Sequence, residues 1–346
     1  MSAEYVELHA RSAFSFLRAA SLPEFLAEKS AELGLPAVGL CDRDGVYGAP
    51  RFHAKAKEVG IRPIVGAELT FADGHVLPVL VENRVGYRNL CRLITTAKLR
   101  GTKHEAPLHW ADLEGMTDGL IALTGDEEGA VRRLIEAGEL EEARAYTERL
   151  KAAFGDRNVC VEVQRHLRRG EEWLNGCLFE LAKMVRLPVV ATNGVLFATV
   201  DDRTVLDVFI CAREHTHLDA AGKKLTANGE RHLKDPRRMR ALFPDHPRAV
   251  TNTLRVAERL EFTLKDLGYE FPKYPVSAGE TMDTFLRKVT MRMKLKLTQE
   301  ALAEQADISH RYLQSIEAGK KQPSINVVSR LRGALRCKWE ELLRGV

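Results

Sequence analysis

His9 closes a short apolar run, and Arg11 follows it two positions on. A histidine at a strand end, with a second side chain pointing the same way one residue further, is a layout for holding a metal. Such a site would want His-x-His, and the second position here is arginine. Further polar groups stand at the ends of strand-like runs: Asp42 and Arg43, Glu68, Gln164 and Asn193. His, Asp and Glu offer lone pairs to divalent ions, which activate water and neutralise phosphate. A guanidinium offers none and does not deprotonate in proteins. The set therefore mixes groups able to hold a metal with groups that cannot.

The elements that must position these residues are legible as alternation. Short runs rich in Val, Ile and Leu occur at 5–10, 37–42, 62–71, 75–83, 119–125, 159–165 and 188–194. Helical patterns lie between several of them. One starts behind Ser21, an N-cap candidate, and stops at Gly34; 85–99 and 139–155 carry a 3.6-residue apolar period. Seven strands interleaved with helices point to a closed α/β barrel. In such barrels functional side chains gather at the C-terminal strand ends, the rule that selects the residues above. After Phe197 the alternation stops, and 201–270 reads as mainly helical. The stretch 268–281, with prolines and glycines and no period, is the expected linker.

The chain has 346 residues, enough for two or three domains, with 45% hydrophobic and 29% charged residues. No apolar run is long enough to span a bilayer, and no signal peptide is visible. The six cysteines include no C-x-x-C, which argues against a zinc knuckle or a disulfide framework and for a cytoplasmic home. Charge is uneven. From Thr284 onward there are 13 Lys and Arg against 6 Asp and Glu, a net +7, whereas the rest has 39 against 42, a net −3. A basic end on a near-neutral body is the footprint of nucleic-acid binding, or of a merely solvated basic helix.

The stretches "YVELHARSAFSFLRAAS", "GLCDRDGVYGAPRFHAKAKEVGIRPIVGAELTF", "GYRNLCRLIT" and "PVVATNG" resemble the polymerase-and-histidinol-phosphatase (PHP) domain at the N-terminus of bacterial DNA polymerase III alpha subunits, the error-prone type included. The resemblance runs from about residue 4 to about 288 and takes in "GERHLKDPRRM" and "FPKYPVSAGETMDTFLRK". It implies a distorted seven-stranded barrel followed by a helical connecting region. Active members are metal-dependent phosphoesterases, some of them proofreading 3′–5′ exonucleases, with ligands from His-x-His, Asp-His, a Glu after the third strand and a late Asp-x-His. On that pattern this chain keeps His9, Asp42 and Glu68 but has Arg11, Arg43, Gly194 and Leu196 at ligand positions. Arg18 stands where active members often carry an acid. The expectation is a vestigial pocket of His9, Arg11, Asp42, Arg43, Glu68 and Asn193, with no metal and no catalytic residue. Were it catalytic, Zn, Mn or Mg would sit on His9, Asp42 and Glu68. A guanidinium in place of the ion should pair with Glu68 or Asp42. His215 and His217 have the spacing of a ligand pair but no acidic partner nearby, and His75, His104 and His109 read as surface or packing residues.

The second informative stretch runs from Leu297 to Leu343. Apolar residues fall at Leu302, Ile308, Leu313, Ile316, Ile325, Val328, Leu331 and Leu335, with Leu302, Leu313, Ile316 and Val328 expected in the core, and Thr298, Ser309 and Ser324 are N-cap candidates. Two short helices joined by "ADIS" make a helix-turn-helix, and Phe285, Val289 and Met293 supply a first helix. The stretch resembles the Cro/repressor (XRE) family, with Asp307 where that family often has Gly. Asp tolerates positive φ. The resemblance implies base contacts from Ser309, His310, Arg311 and Gln314, and backbone contacts from Gln299, Lys320 and Lys321.

The expected organisation is an α/β barrel over 1–200, a helical connecting region and linker over 201–283, and an all-α helix-turn-helix domain over 284–346. The leading expectation is a protein that binds double-stranded DNA, as a homodimer through the C-terminal domain, and carries a non-catalytic barrel. The polymerase-like pattern stops near Lys288 with no palm carboxylates after it, so no polymerase activity is expected. Two other classes compete. One is a metal-dependent phosphoesterase or exonuclease; the other is a scaffold that mimics the polymerase N-terminus and binds replication or lesion-bypass proteins.

Overall fold

Seven strands pair in chain order in the computed structural model: β1 (Glu7–Ala10), β2 (Ala37–Arg43), β3 (Arg62–Thr70), β4 (Val76–Val81), β5 (Leu120–Leu123), β6 (Val159–Val163) and β7 (Val189–Ala191). The structure describes residues 4–102, 107–267, 295, 297–317, 321, 323–336 and 338. All pairings are parallel except those of β4, which runs antiparallel to both β3 and β5. The reason is local. Only Phe71–His75 separates β3 from β4, enough for a hairpin and too short for a parallel crossover. The two ends of the sheet meet just past β7. The Arg11 amide donates to the Val195 carbonyl at 2.9 Å, and the Val195 amide donates to the His9 carbonyl at 2.9 Å. The sheet is thereby closed into a seven-stranded barrel.

Helices cover its outer face: α1 (Pro23–Glu32), α2 (Ala49–Val59), α3 (Arg84–Arg100), α4 (Ala130–Glu136), α5 (Leu140–Phe154) and α6 (Glu171–Val185). Ser21 does not cap α1, whose N-cap is Leu22 with no side-chain bond. Its hydroxyl instead accepts from the Ala198 amide at 2.7 Å and donates to Asp202 at 3.0 Å, joining the start of α1 to the chain beyond β7. Gly34 does end that helix, at φ +69°, the left-handed conformation that glycine adopts without steric penalty.

Inside the barrel the two-residue period of each strand sorts side chains into layers. Val6, Leu8, Ala37, Cys41, Ile64, Leu80, Ile121, Leu123, Cys160 and Val190 form an inner apolar cluster. Val256, Ala257 and Leu260 of α10 (below) belong to the same cluster. Further along the same faces stand Arg43, Glu68 and Glu162, which make the opposite mouth polar. Gly66 lies between Ile64 and Glu68 because a Cβ there would come within 2.6 Å of the Val79 carbonyl.

Past the barrel come α7 (Arg203–Arg213), α8 (Leu218–Ala221), α9 (Pro236–Leu242) and α10 (Pro247–Arg259). α10 packs against β1 and β7, with Thr253 accepting from the Val6 amide at 3.1 Å. Arg62 donates to the Leu260 and Ala257 carbonyls at 2.7 and 2.8 Å, satisfying the last turn of α10. Residues Met1–Leu267 thus make one compact unit, and Gly268–Val346 make another.

In the second unit, α11 (Gln299–Gln305), α12 (His310–Glu317) and α13 (Ile325–Ala334) surround Leu302, Ala303, Leu313 and Leu335. Thr298, Ser309 and Ser324 each accept an amide bond at the start of their helix, as N-caps do. The linker expected at 268–281, the helix expected to carry Phe285, Val289 and Met293, and His104 and Lys320 lie outside the described residues.

Candidate barrel-mouth site and candidate nucleic-acid interface

Glu68 is fully buried near the end of β3 and is the hub of the mouth. Its Oε1 accepts from His9 Nε2 at 2.9 Å and from Arg11 Nη2, and its Oε2 accepts from Arg43 Nε at 2.8 Å. On its other side, His9 Nδ1 lies 2.8 Å from Glu162 Oε1. A ring with a carboxylate on each nitrogen donates twice only as imidazolium. Burial pushes the His9 pKa down, but the Glu162 charge and the hydrogen bonds to Glu162 and Glu68 bring it to about 9.

The network extends outward. Arg11 also reaches Asp126 Oδ2 at 2.6 Å. Arg231 meets that same oxygen at 2.5 Å, donates to Glu127 at 2.5 Å and to the Gly194 carbonyl at 2.8 Å. Arg43 continues to Glu128, which also accepts from Arg18 at 3.1 Å. Burial alone would raise the carboxyl pKa values of Glu68 and Asp126. The guanidiniums of Arg11 and Arg43 hold Glu68 well below its ordinary range, and those of Arg11 and Arg231 do the same for Asp126.

Asp42 stands apart from the arginines. It accepts from the Ser12 amide at 2.7 Å, the Ser12 hydroxyl at 2.8 Å and the Ser15 hydroxyl at 2.8 Å. Burial outweighs these bonds and raises its pKa to about 6. Of the two carboxylates the sequence offered to a guanidinium, Glu68 takes both arginines and Asp42 takes neither. Asn193 is also differently occupied. Its side-chain amide donates to the carbonyls of Glu230 and His232 at 2.8 and 2.6 Å, tying segment 230–232 to the barrel. Gln164 supports Glu162 through an amide bond of 2.8 Å. Gly194 has φ +53°, and a Cβ there would come within 2.5 Å of the Gln164 amide and 2.8 Å of Arg231.

These donors do not fit a divalent metal. Both His9 nitrogens and both Glu68 oxygens are engaged within the network, and the Asp42 oxygens face serine donors. Glu162 keeps one buried oxygen, Oε2, without a partner, and a single oxygen does not make a site. Among the described residues no three His, Cys, Asp or Glu side chains converge on a common point.

Sequence reasoning missed Glu162, Asp126, Glu128 and Arg231. Two signals pointed to the acids. Glu162 is the one carboxylate inside the apolar run "VCVEV", and "GDEEG" directly follows a strand. Arg231 gave no such sign, because it reaches the mouth from beyond the barrel strands.

In the second unit the sequence between α11 and α12 makes the tight turn. Asp307 has φ +51° there, and Arg330 of α13 donates to its carbonyl and carboxylate at 3.1 Å each. Leu313 and Ile316 point inward from α12. Arg311 and Gln314 are exposed, Gln314 pairs with His310 at 3.2 Å, and exposed Ser309 precedes them. Lys321 is exposed and lies 5.7 Å from the centre of the Tyr312 ring. Gln299 is half-buried on the first turn of α11. Val328, expected in the core, is only half-buried, and Ile325 is 79% exposed.

Residues 7–166 match the PHP domain, and residues 290–342 match a helix-turn-helix. An error-prone DNA polymerase of Symbiobacterium thermophilum is 40% identical over 271 residues, covering 74% of this chain and 25% of that protein. Error-prone DNA polymerase 1 of Agrobacterium fabrum is 34% identical over 292 residues, covering 82% of this chain and 25% of its own length. The chain thus spans about a quarter of the polymerases it matches. Among solved structures, one from Bifidobacterium adolescentis described as a metal-dependent phosphoesterase aligns with a TM-score of 0.34 at 16% identity, over 56% of this chain and 88% of that one.

Proposed function

We propose that this chain reads duplex DNA through its helix-turn-helix unit and that its PHP barrel serves as a scaffold without metal chemistry. The observation that carries the first half is the outward row of Arg311 and Gln314 at the start of α12, anchored from behind by buried Leu313 and Ile316. A helix so placed enters the major groove with its N-terminal residues toward base edges. Arg311 suits guanine and Gln314 suits adenine, each through a forked pair of bonds. Ser309 and His310 flank them, while Gln299 and Lys321, with Lys320, contact the phosphate backbone. The unit extends over 284–346 and pairs with a second copy on a two-fold symmetric site. The barrel over 1–200 and the connecting region over 201–283 precede it.

The second half rests on Glu68. Its two oxygens are held by His9 and two guanidiniums, so the positive charge a metal would bring is already supplied by protein groups. Because its relatives are error-prone polymerases, the scaffold's partners are proposed to be replication or lesion-bypass proteins.

Selection of bound duplexes from a random pool, followed by anisotropy titration, tests the DNA reading. A defined consensus is expected, with affinity falling as salt rises. Equal binding to every duplex would overturn it. Phosphodiester cleavage with Zn, Mn or Mg that is lost in Glu68→Ala would replace the scaffold by the phosphoesterase reading.

A further inference from the structure

His310 and Gln314 stand one turn apart on α12, the spacing at which two side chains of a helix meet. Gln314 Nε2 lies 3.2 Å from His310 Nε2. An amide nitrogen only donates, so the ring nitrogen accepts and the imidazole carries its proton on Nδ1. Glu300 Oε1 of α11 lies 3.9 Å from the same ring nitrogen, beyond hydrogen-bond distance. The two neighbours make opposite demands. The carboxylate favours a proton on Nε2, whereas the amide needs a lone pair there. Gln314 is the closer of the two, and the Glu300 side chain is 75% exposed, so solvent screens its pull.

This bond leaves Gln314 in a defined state. A glutamine amide has two hydrogens and one oxygen. With one hydrogen on His310, the other hydrogen and Oε1 remain, and these are the two groups that the N7 and N6 edge of adenine takes. The backbone under the pair is fixed. Leu313 and Ile316 are buried, and Ser309 Oγ accepts from the Tyr312 amide at 3.2 Å, closing the first turn. An exposed glutamine without such a partner loses its rotamer freedom only when it binds, at a cost to affinity.

We infer that His310 is a positioning residue for base recognition: its neutral ring holds Gln314 ready for adenine and makes no base contact of its own. This role rests on the reading of duplex DNA through α12. It divides a set that the sequence leaves equal, since Ser309, His310, Arg311 and Gln314 all stand among the expected base contacts. Gln314 meets the base, and His310 acts through it.

The test uses the full chain, the duplex selected from the random pool, and a set of duplexes that replace each of its base pairs in turn. The position read by Gln314 is the one whose preference Gln314→Ala abolishes, and adenine is expected there. At that position His310→Leu should lower the preference by about three- to tenfold, the cost of ordering one side chain on binding. In His310→Gln an amide oxygen again accepts from Gln314, and the preference should return. His310→Leu should add no further loss to Gln314→Ala. An unchanged circular dichroism spectrum checks the fold of each variant. The role is overturned by an unchanged preference in His310→Leu, by an equal weakening on all duplexes, or by a Gln314→Ala that alters no position. A loss that His310→Gln does not restore also overturns it, because His310 then touches the base itself. In the free protein at about pH 8, nitrogen NMR of the His310 ring should show the neutral Nδ1–H tautomer. The signal is assigned by its disappearance in His310→Leu, and a neutral ring with its proton on Nε2 would overturn the positioning whatever the DNA does. A parent protein that binds all duplexes equally overturns the DNA reading and this role with it, whereas a defined consensus indifferent to His310 overturns this role alone.

Discussion

Glu68→Gln removes one negative charge and nothing else of the side chain's shape. In the folded protein that charge faces three cations. His9 lies at 2.9 Å, Arg43 at 2.8 Å, and Arg11 touches the same oxygen as His9. Unit charges 4 Å apart interact by about 4 kcal/mol at an effective dielectric of 20. Not all of this is lost, because Arg11 keeps Asp126, Arg43 keeps Glu128 and His9 keeps Glu162. The residual penalty is that of a broken buried ion pair, about 3–5 kcal/mol. That is a large part of the stability of an ordinary domain. Urea unfolding followed by near-UV circular dichroism measures it, and Trp110, packed 5.5 Å from Phe71, reports on the barrel unit. The expected result is a lower midpoint at unchanged slope. A loss under about 1 kcal/mol would show that Glu68 does not neutralise this cluster. A parent protein stabilised by added Zn and destabilised by chelator would refute the reasoning more directly, because a ligand that binds only the folded state raises its stability by mass action.

Three further outcomes are expected. Arg311→Ala should lose about 1–3 kcal/mol of discrimination at one base position, whereas Lys321→Ala should weaken all duplexes alike and reduce the salt slope by about one; selection and salt titration separate the two. His9 has a folded pKa of about 9 against an ordinary 6.5, so its stabilising contribution of about 3 kcal/mol is complete below pH 6.5 and is lost as pH rises through 9. The stability difference between parent and His9→Gln should therefore shrink from pH 7 to pH 9, and a flat difference would contradict the imidazolium. Gly194→Ala should destabilise the barrel unit by about 1–3 kcal/mol, through positive φ and contact with Gln164 and Arg231, measured by the same urea midpoint.

All seven strands were legible because each lies in a short run rich in Val, Ile and Leu that ends in polar or glycine residues. The reversal of β4 was not, since it follows from the length of the Phe71–His75 connection and not from periodicity. His9, Arg11, Arg43 and Glu68 were legible as a group because strand ends face one mouth. Their outer partners come from the loop after β5 and from Arg231, positions that only the closed barrel brings near. Asp42 shows the limit of the strand-end rule. The rule places the residue at the mouth, but the serine hydroxyls of the loop after β1 decide what it bonds to. In the second unit, the caps and the inward residues Leu302 and Leu313 followed from spacing, while Val328 sits nearer the surface than its period implied.

The shared carboxylates at the mouth also bear on how this barrel can change by mutation. Arg11 serves both Glu68 and Asp126, and Asp126 is shared again with Arg231. Replacing Arg11 with histidine would leave acids short of a cation before any metal could bind. Placing an acid at position 194 would first meet Gln164 and Arg231. Each single step toward a metal centre therefore passes through a protein with an unmatched buried charge or a steric clash. On the scaffold reading, substitutions that are individually costly would have to arrive together for the mouth to hold a divalent ion.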